Sequence, residues 1–118
     1  MNTAIVLAGG SGKRMNSDIP KQYLMLAGKP VIYYSLKAFQ DNSHIDNIIL
    51  VTAEEYIDYA KENILDKTLS KVSMVIQGGM ERYDSVYKGL QCIKEPGYVF
   101  IHDGARLCIS QKLIDDCY

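Results

Sequence analysis

Four short runs of apolar and β-branched residues recur along the chain, and each is followed by a stretch with helical character. The first, Thr3-Ala4-Ile5-Val6-Leu7-Ala8, runs directly into Gly9-Gly10-Ser11-Gly12. An unbroken apolar run of this length closed by glycines is the pattern of a central parallel strand, whereas a half-exposed strand alternates. Further strands are expected over residues 47–52, over residues 72–77 before Gly78-Gly79, and over residues 98–102. Helices are expected over residues 30–39, 54–64 and 82–93. In the first of these, Val31, Tyr34, Leu36, Ala38 and Phe39 lie among polar residues, and Pro30 suits the first helical turn. In the third, Val86, Leu90 and Ile93 recur at helical intervals. A last helix opens over residues 111–118. This alternation calls for an α/β fold, a mainly parallel sheet with right-handed crossovers and helices on both faces. Ligands of such sheets bind beyond the carboxyl ends of the strands, which directs attention to the loops after Ala8, Thr52, Gln77 and His102.

At 118 residues the chain has the size of one modest domain, and no linker, repeat or low-complexity tract divides residues 1–118. Tyr118 falls inside a helical pattern just begun, so the sequence reads as a fragment truncated at its C-terminus. Hydrophobic residues at 47% and charged residues at 23% are near the averages of globular proteins. A formal net charge of -1 argues against nucleic acid as a partner, and no basic stripe interleaves Tyr33, Tyr34, Tyr56, Tyr59 and Tyr98, which read as packing residues. The acidic segment 54–62 reads as a solvated face. Cys92, Cys108 and Cys117 show no C-x-x-C spacing, and His44 and His102 lie far apart, so neither a disulfide framework nor a His/Cys metal site is indicated. The N-terminal apolar run is short and lacks a basic leader, and no run approaches the roughly 20 residues of a membrane span. The expected compartment is the cytoplasm, with no membrane partner.

The glycines after the first strand allow backbone N–H groups to approach phosphate oxygens closely, and Lys13, Arg14 and Lys21 add three cations nearby. This outlines a triphosphate cradle. A Walker A loop is excluded because Arg14 follows Lys13 where Ser or Thr is needed, and Leu7 stands where the first glycine should be. A dinucleotide fingerprint is excluded because Met15 takes the place of its third glycine. The alternative is a glycine-rich turn with solvated cations, which the appended Pro20-Lys21-Gln22-Tyr23 disfavours.

Four segments in order carry a family resemblance: A-G-G-S-G-K-R-M from Ala8, then P-K-Q-Y-L from Pro20 with G-K-P-V from Gly28, then Gly78-Gly79-Met80-Glu81-Arg82-Tyr83-Asp84-Ser85-Val86, then Ile101-His102-Asp103-Gly104-Ala105-Arg106. Together the chain resembles the 2-C-methyl-D-erythritol 4-phosphate cytidylyltransferase family and its relatives acting on ribitol 5-phosphate. The resemblance implies a Rossmann-like nucleotidyltransferase fold, of which these residues form the N-terminal nucleotide-binding part. It also implies CTP and a sugar-alcohol phosphate as substrates, Mg²⁺ as cofactor, and a homodimer for the full-length protein.

Residue by residue, the resemblance assigns Ala8, Gly9, Gly10, Gly12 and Lys13 to the loop around the nucleotide, and Arg14 and Lys21 to the cations that stabilise charge on the α-phosphate. Gly79, Met80 and Ser85 match the positions that read cytosine, with Met80 standing where many members have Asp. Asp103 matches the Mg²⁺ ligand, Ala105 lies on the nucleotide side, and Arg106 on the acceptor side. Leu107 stands where members usually have Pro, a departure that bears on the following loop. Ser85 could instead be a helix residue facing solvent, Arg82 a first-turn residue in an ion pair, and Asp103 a turn or cap residue. His102 is read as packing or hydrogen-bonding at the strand end, not as a general base, and His44 as a surface residue. The implied reaction transfers CMP from CTP to 2-C-methyl-D-erythritol 4-phosphate with release of pyrophosphate, on the non-mevalonate route to isoprenoid precursors. The alternatives are ribitol 5-phosphate as acceptor, in teichoic-acid or capsule synthesis, and an inactive nucleotide-binding module.

Overall fold

The computed structural model describes residues 1–8, 23, 25–79, 82–93, 96–104 and 114–115. Strand β1 (Thr3–Ala8) is buried along its whole length and pairs in parallel on both sides. Its neighbours are β4 (Asn47–Thr52) and β6 (Val99–Asp103), and β5 (Val72–Gln77) lies outside β4, giving the order β5-β4-β1-β6 among the described residues. The apolar run of the first strand is thus accounted for by burial on both faces.

Alternation along the strands sorts side chains between two cores. Ala4, Val6 and Ala8 of β1, with Ile48 and Leu50 of β4, face a cluster that includes Ile32, Leu36 and Phe39 of helix α1 (Val31–Gln40) and Ala60 of helix α2 (Ile57–Asn63). Ile5 and Leu7, with Ile49 and Val51, face the other way, toward Val86 of helix α3 (Arg82–Gln91). Helices therefore cover both faces. Ile32, Leu36 and Phe39 recur at the helical i, i+4, i+7 spacing, and each contributes about 1.5–3 kcal/mol by leaving water. Ile114 belongs to the α1-side core, and Asp115 accepts a hydrogen bond from Asn42 Nδ2 at 2.9 Å.

The edge strand β5 contains a register shift. Ile48 faces Val72 but Ile49 faces Met74, so Ser73 is an extra residue. The slip lets Val72 and Val75, three positions apart, both pack on the α1 side, while Ile76 packs on the α3 side.

Several expected boundaries shift. Pro30 is not in the first helical turn but caps α1 in an extended conformation, and it closes a two-stranded hairpin, β2 (Met25–Leu26) with β3 (Lys29–Pro30). The hairpin turn places Ala27 at φ 52° and Gly28 at φ 88°. It was not expected because two-residue strands show no periodicity and Ala-Gly is not a common turn pair. The segment 54–64 is a 3-10 turn at Glu54–Tyr56 followed by α2, with Glu54, Glu55, Asp58 and Glu62 exposed as expected of a solvated face. Helix α3 ends at Gln91 rather than residue 93, and β6 begins at Val99 rather than residue 98.

Two features of this packing have measurable consequences. Gly89 lets α3 sit close to the sheet: a Cβ there would lie 2.9 Å from Cγ2 of the fully buried Ile5, whose branched side chain is stiff. Gly89→Ala is expected to lower stability by about 1 kcal/mol in urea denaturation, because overpacking at about 1–3 kcal/mol outweighs a helix-propensity gain of about 1 kcal/mol. A raised midpoint would contradict this close approach. Tyr23, 2% exposed, has its phenol pKa pushed up from 10.0 to about 12, chiefly by burial, with its hydrogen bond to Thr52 opposing. Below pH 10 both folded and unfolded forms keep the proton. Between pH 10 and about 12 the unfolded chain releases it first, so stability falls as pH rises. Unfolding midpoints followed through this window should show a shallower decline for Tyr23→Phe than for the parent.

Candidate nucleotide site at the carboxyl edge of the sheet

Among the described residues the four strands of this sheet are all parallel, so their carboxyl ends share one edge. The register aligns Ala8 with Thr52, Thr52 with Gln77, and Leu7 with Asp103. The chain lays down β4 and β5 on one side of β1 and then returns to the other side as β6. The strand order reverses between β1 and β6, and it is beyond the carboxyl ends of strands at such a switch point that α/β sheets bind ligands. The backbone continues the ladders past the strands on both sides: Gly104 N–H donates to the Leu7 carbonyl and Gly78 N–H to the Thr52 carbonyl, each at 2.8 Å. Gly104 fits closely over α1, since a Cβ would lie 3.0 Å from Ile32 Cδ1.

On the β5 side, Gly78 and Gly79 lead toward α3. Ser85 is buried, so the solvent-facing alternative does not hold. Its Oγ accepts a hydrogen bond from Gly79 N–H at 3.1 Å. A Cβ at Gly78 would lie 2.6 Å from Ser85 Oγ, and one at Gly79 would overlap Asp84 Cβ, so the diglycine is required by the closeness of α3. With the Gly79 N–H committed to Ser85, the groups suited to a ligand here are the Gly79 carbonyl and the Ser85 O–H.

Next to β1, the Tyr23 phenol is hydrogen-bonded to Thr52 Oγ1, and Thr52 Oγ1 donates to the Ala8 carbonyl at 3.4 Å. The Tyr23 ring stacks on Tyr56 with centroids 4.5 Å apart and meets Tyr59 edge-on at 5.6 Å. Tyr56 and Tyr59 thus pack as the sequence reading expected, and Tyr23 packs with them. His102 meets Phe39 edge-on at 5.6 Å on the α1 side, also as a packing residue. His44 is part-exposed, with Nε2 3.7 Å from Asp115 Oδ1.

Of the residues singled out from sequence, Ala8, Gly79, Ser85 and Asp103 all lie at the carboxyl edge. Asp103 is exposed, as the last residue of β6. Arg82 is the exposed first residue of α3. Gly9, Gly10, Gly12, Lys13, Arg14, Lys21, Met80, Ala105 and Arg106 lie outside the described residues. The hydrogen-bonded pair Tyr23 and Thr52 at this edge was not singled out from sequence. Their signals were weak: Tyr23 belongs to the P-K-Q-Y segment, and Thr52 ends a strand whose following loop was marked for attention. Among the described residues no three His, Cys, Asp or Glu side chains group as a metal cluster. A hard cation bridging phosphates takes only one or two protein carboxylates, so an exposed Asp at the carboxyl end of β6 fits such an ion.

The family model described as 2-C-methyl-D-erythritol 4-phosphate cytidylyltransferase matches residues 2–118. The chain is 64% identical over 118 residues to the 2-C-methyl-D-erythritol 4-phosphate cytidylyltransferase of Lachnospira eligens, covering 100% of this chain and 52% of that protein. Identity to the protein of the same description from Clostridium novyi is 50% over 116 residues, covering 98% and 50%. The crystal structure of the Francisella tularensis 2-C-methyl-D-erythritol 4-phosphate cytidylyltransferase superposes with a TM-score of 0.74 at 32% identity, covering 100% of this chain and 51% of that one. The chain thus spans about half the length of the curated relatives it matches. On sequence and fold together, the chain belongs to the 2-C-methyl-D-erythritol 4-phosphate cytidylyltransferase family.

Proposed function

We propose that the protein carrying this chain transfers CMP from CTP to 2-C-methyl-D-erythritol 4-phosphate, releasing pyrophosphate, in non-mevalonate isoprenoid precursor synthesis. The observation that carries this reading is the convergence of Ala8, Gly79, Ser85 and Asp103 on the carboxyl edge of the sheet, in a chain of this family. An oxygen of the acceptor phosphate attacks the α-phosphorus of CTP in line. The new P–O bond forms as the bond to the β-phosphate oxygen breaks, and the electron pair leaves with pyrophosphate. Charge builds on the equatorial oxygens of the α-phosphorus, where Arg14 and Lys21 stabilise it more than they stabilise the ground state.

Ala8, Gly9, Gly10, Gly12 and Lys13 hold the nucleotide, with Ala105 beside it, and Arg106 faces the acceptor. Asp103 would hold Mg²⁺, which supplies charge neutralisation at the phosphates when bound. In this reading the full-length protein acts as a cytoplasmic homodimer. Lys21→Ala or Arg14→Ala in the intact enzyme should lower turnover by about 10²–10³ with a smaller change in CTP affinity. Parental turnover in both variants would remove the cations from the mechanism.

Base choice follows from the hydrogen bond between Gly79 and Ser85. Because Gly79 N–H is occupied, the backbone there offers its carbonyl, which attracts the amino group of cytosine and repels the carbonyl of uracil. The Ser85 hydroxyl keeps its proton for an acceptor such as cytosine N3, where uracil presents N–H. Neither contact needs an acidic side chain at Met80. The intact enzyme is therefore expected to favour CTP over UTP by at least about 10² in kcat/KM, since the wrong base leaves buried polar groups unpaired. Near-equal values would indicate a general nucleotidyltransferase.

A further inference from the structure

Residues 9–22 carry the glycines and all three cations assigned to the nucleotide. The residues bounding this segment, Ala8 and Tyr23, meet at a single hydroxyl, that of Thr52. Thr52 Oγ1 lies within hydrogen-bonding reach of both the Ala8 carbonyl, at 3.4 Å, and the Tyr23 phenol, and burial keeps the phenol protonated. Thr52 is fully buried and Tyr23 is held on its other sides by Tyr56 and Tyr59. None of these side chains takes part in the binding or chemistry described above.

We propose that Tyr23 and Thr52 form a clasp closing the base of segment 9–22, and that both are positioning residues for the nucleotide-binding and charge-stabilising groups on it. The inference rests on the function proposed above. Joining the ends of a segment removes closure entropy that would otherwise oppose one defined arrangement. Lys21 stands only two positions before Tyr23 in the sequence. A displacement of about 1 Å in a charge-stabilising group is enough to cost up to about 10² in rate.

The test uses Tyr23→Phe, Thr52→Val, the two combined, and Thr52→Ser, each in the intact enzyme. Tyr23→Phe and Thr52→Val are expected to lower kcat/KM for CTP by about 10- to 100-fold, and Thr52→Ser to retain most of the activity by keeping the hydroxyl. Thr52→Val alone leaves the buried phenol without its partner and lowers the melting temperature. The combined variant removes both hydroxyls and recovers much of that stability. Its activity stays low if the clasp positions the segment. Activity that recovers together with stability, or parental activity in folded Thr52→Val, overturns the proposal. Lys21→Ala measured alongside separates the two failures. A loss there with parental clasp variants refutes the clasp alone. Parental turnover in Lys21→Ala refutes the catalytic reading, and the CTP affinity of the clasp variants then decides the clasp: weakened binding supports it and unchanged binding overturns it.

Discussion

The structure depends on the pairing of β1 with a parallel strand on each side. A strand buried on both faces has no water for its backbone, and two ladders satisfy its N–H and C=O groups. That requirement accounts for the apolar run and for the two separate cores above and below it. It also accounts for where the chemistry can be. Parallel strands end on a common edge, so pairing alone brings Ala8, Thr52, Gln77 and Asp103 together from positions far apart in sequence.

Helix α3 links this frame to the Gly78-Gly79 corner at the carboxyl edge. Through Gly89 it rests on Ile5 of the central strand, and about one turn earlier it presents Ser85 to the Gly79 N–H. The depth at which the helix sits on β1 therefore sets the position of Ser85 against the end of β5. The glycines at 78, 79 and 89 all answer to the close approach of this one element.

Much of this was legible in the sequence. The strands at residues 3–8 and 47–52 were bounded correctly because an apolar run of this length ending in glycine or a polar turn fits a buried strand, and the half-buried strand at 72–77 was bounded by the Gly78-Gly79 that follows it. The hairpin at Met25–Pro30 was not legible, since Ala27 adopts a positive φ that its residue type does not favour. The sequence left Ser85 open between a ligand contact and a solvated helix position. Its burial depends on α3 lying close to the sheet, a tertiary property that spacing within the helix does not encode. Tyr23 was read within a basic, phosphate-oriented segment. Its role in the core depends on Thr52, Tyr56 and Tyr59, which lie at least 29 positions away in sequence. The cations Lys13, Arg14 and Lys21 lie outside the described residues, and the roles proposed for them rest on the family resemblance of their segments.

The register shift at Ser73 bears on solubility. Among the described residues β5 is an outer strand, and it exposes Met74. A flat outer strand of this composition presents unpaired backbone groups in a regular row, which can template the edge of another molecule. The extra residue interrupts that row and increases the local twist. Deleting Ser73 would restore a regular ladder and at the same time turn the side chains on one side of the deletion to the opposite face. The irregularity that fits Val72 and Val75 into one core thus also makes this edge a poor seed for self-association.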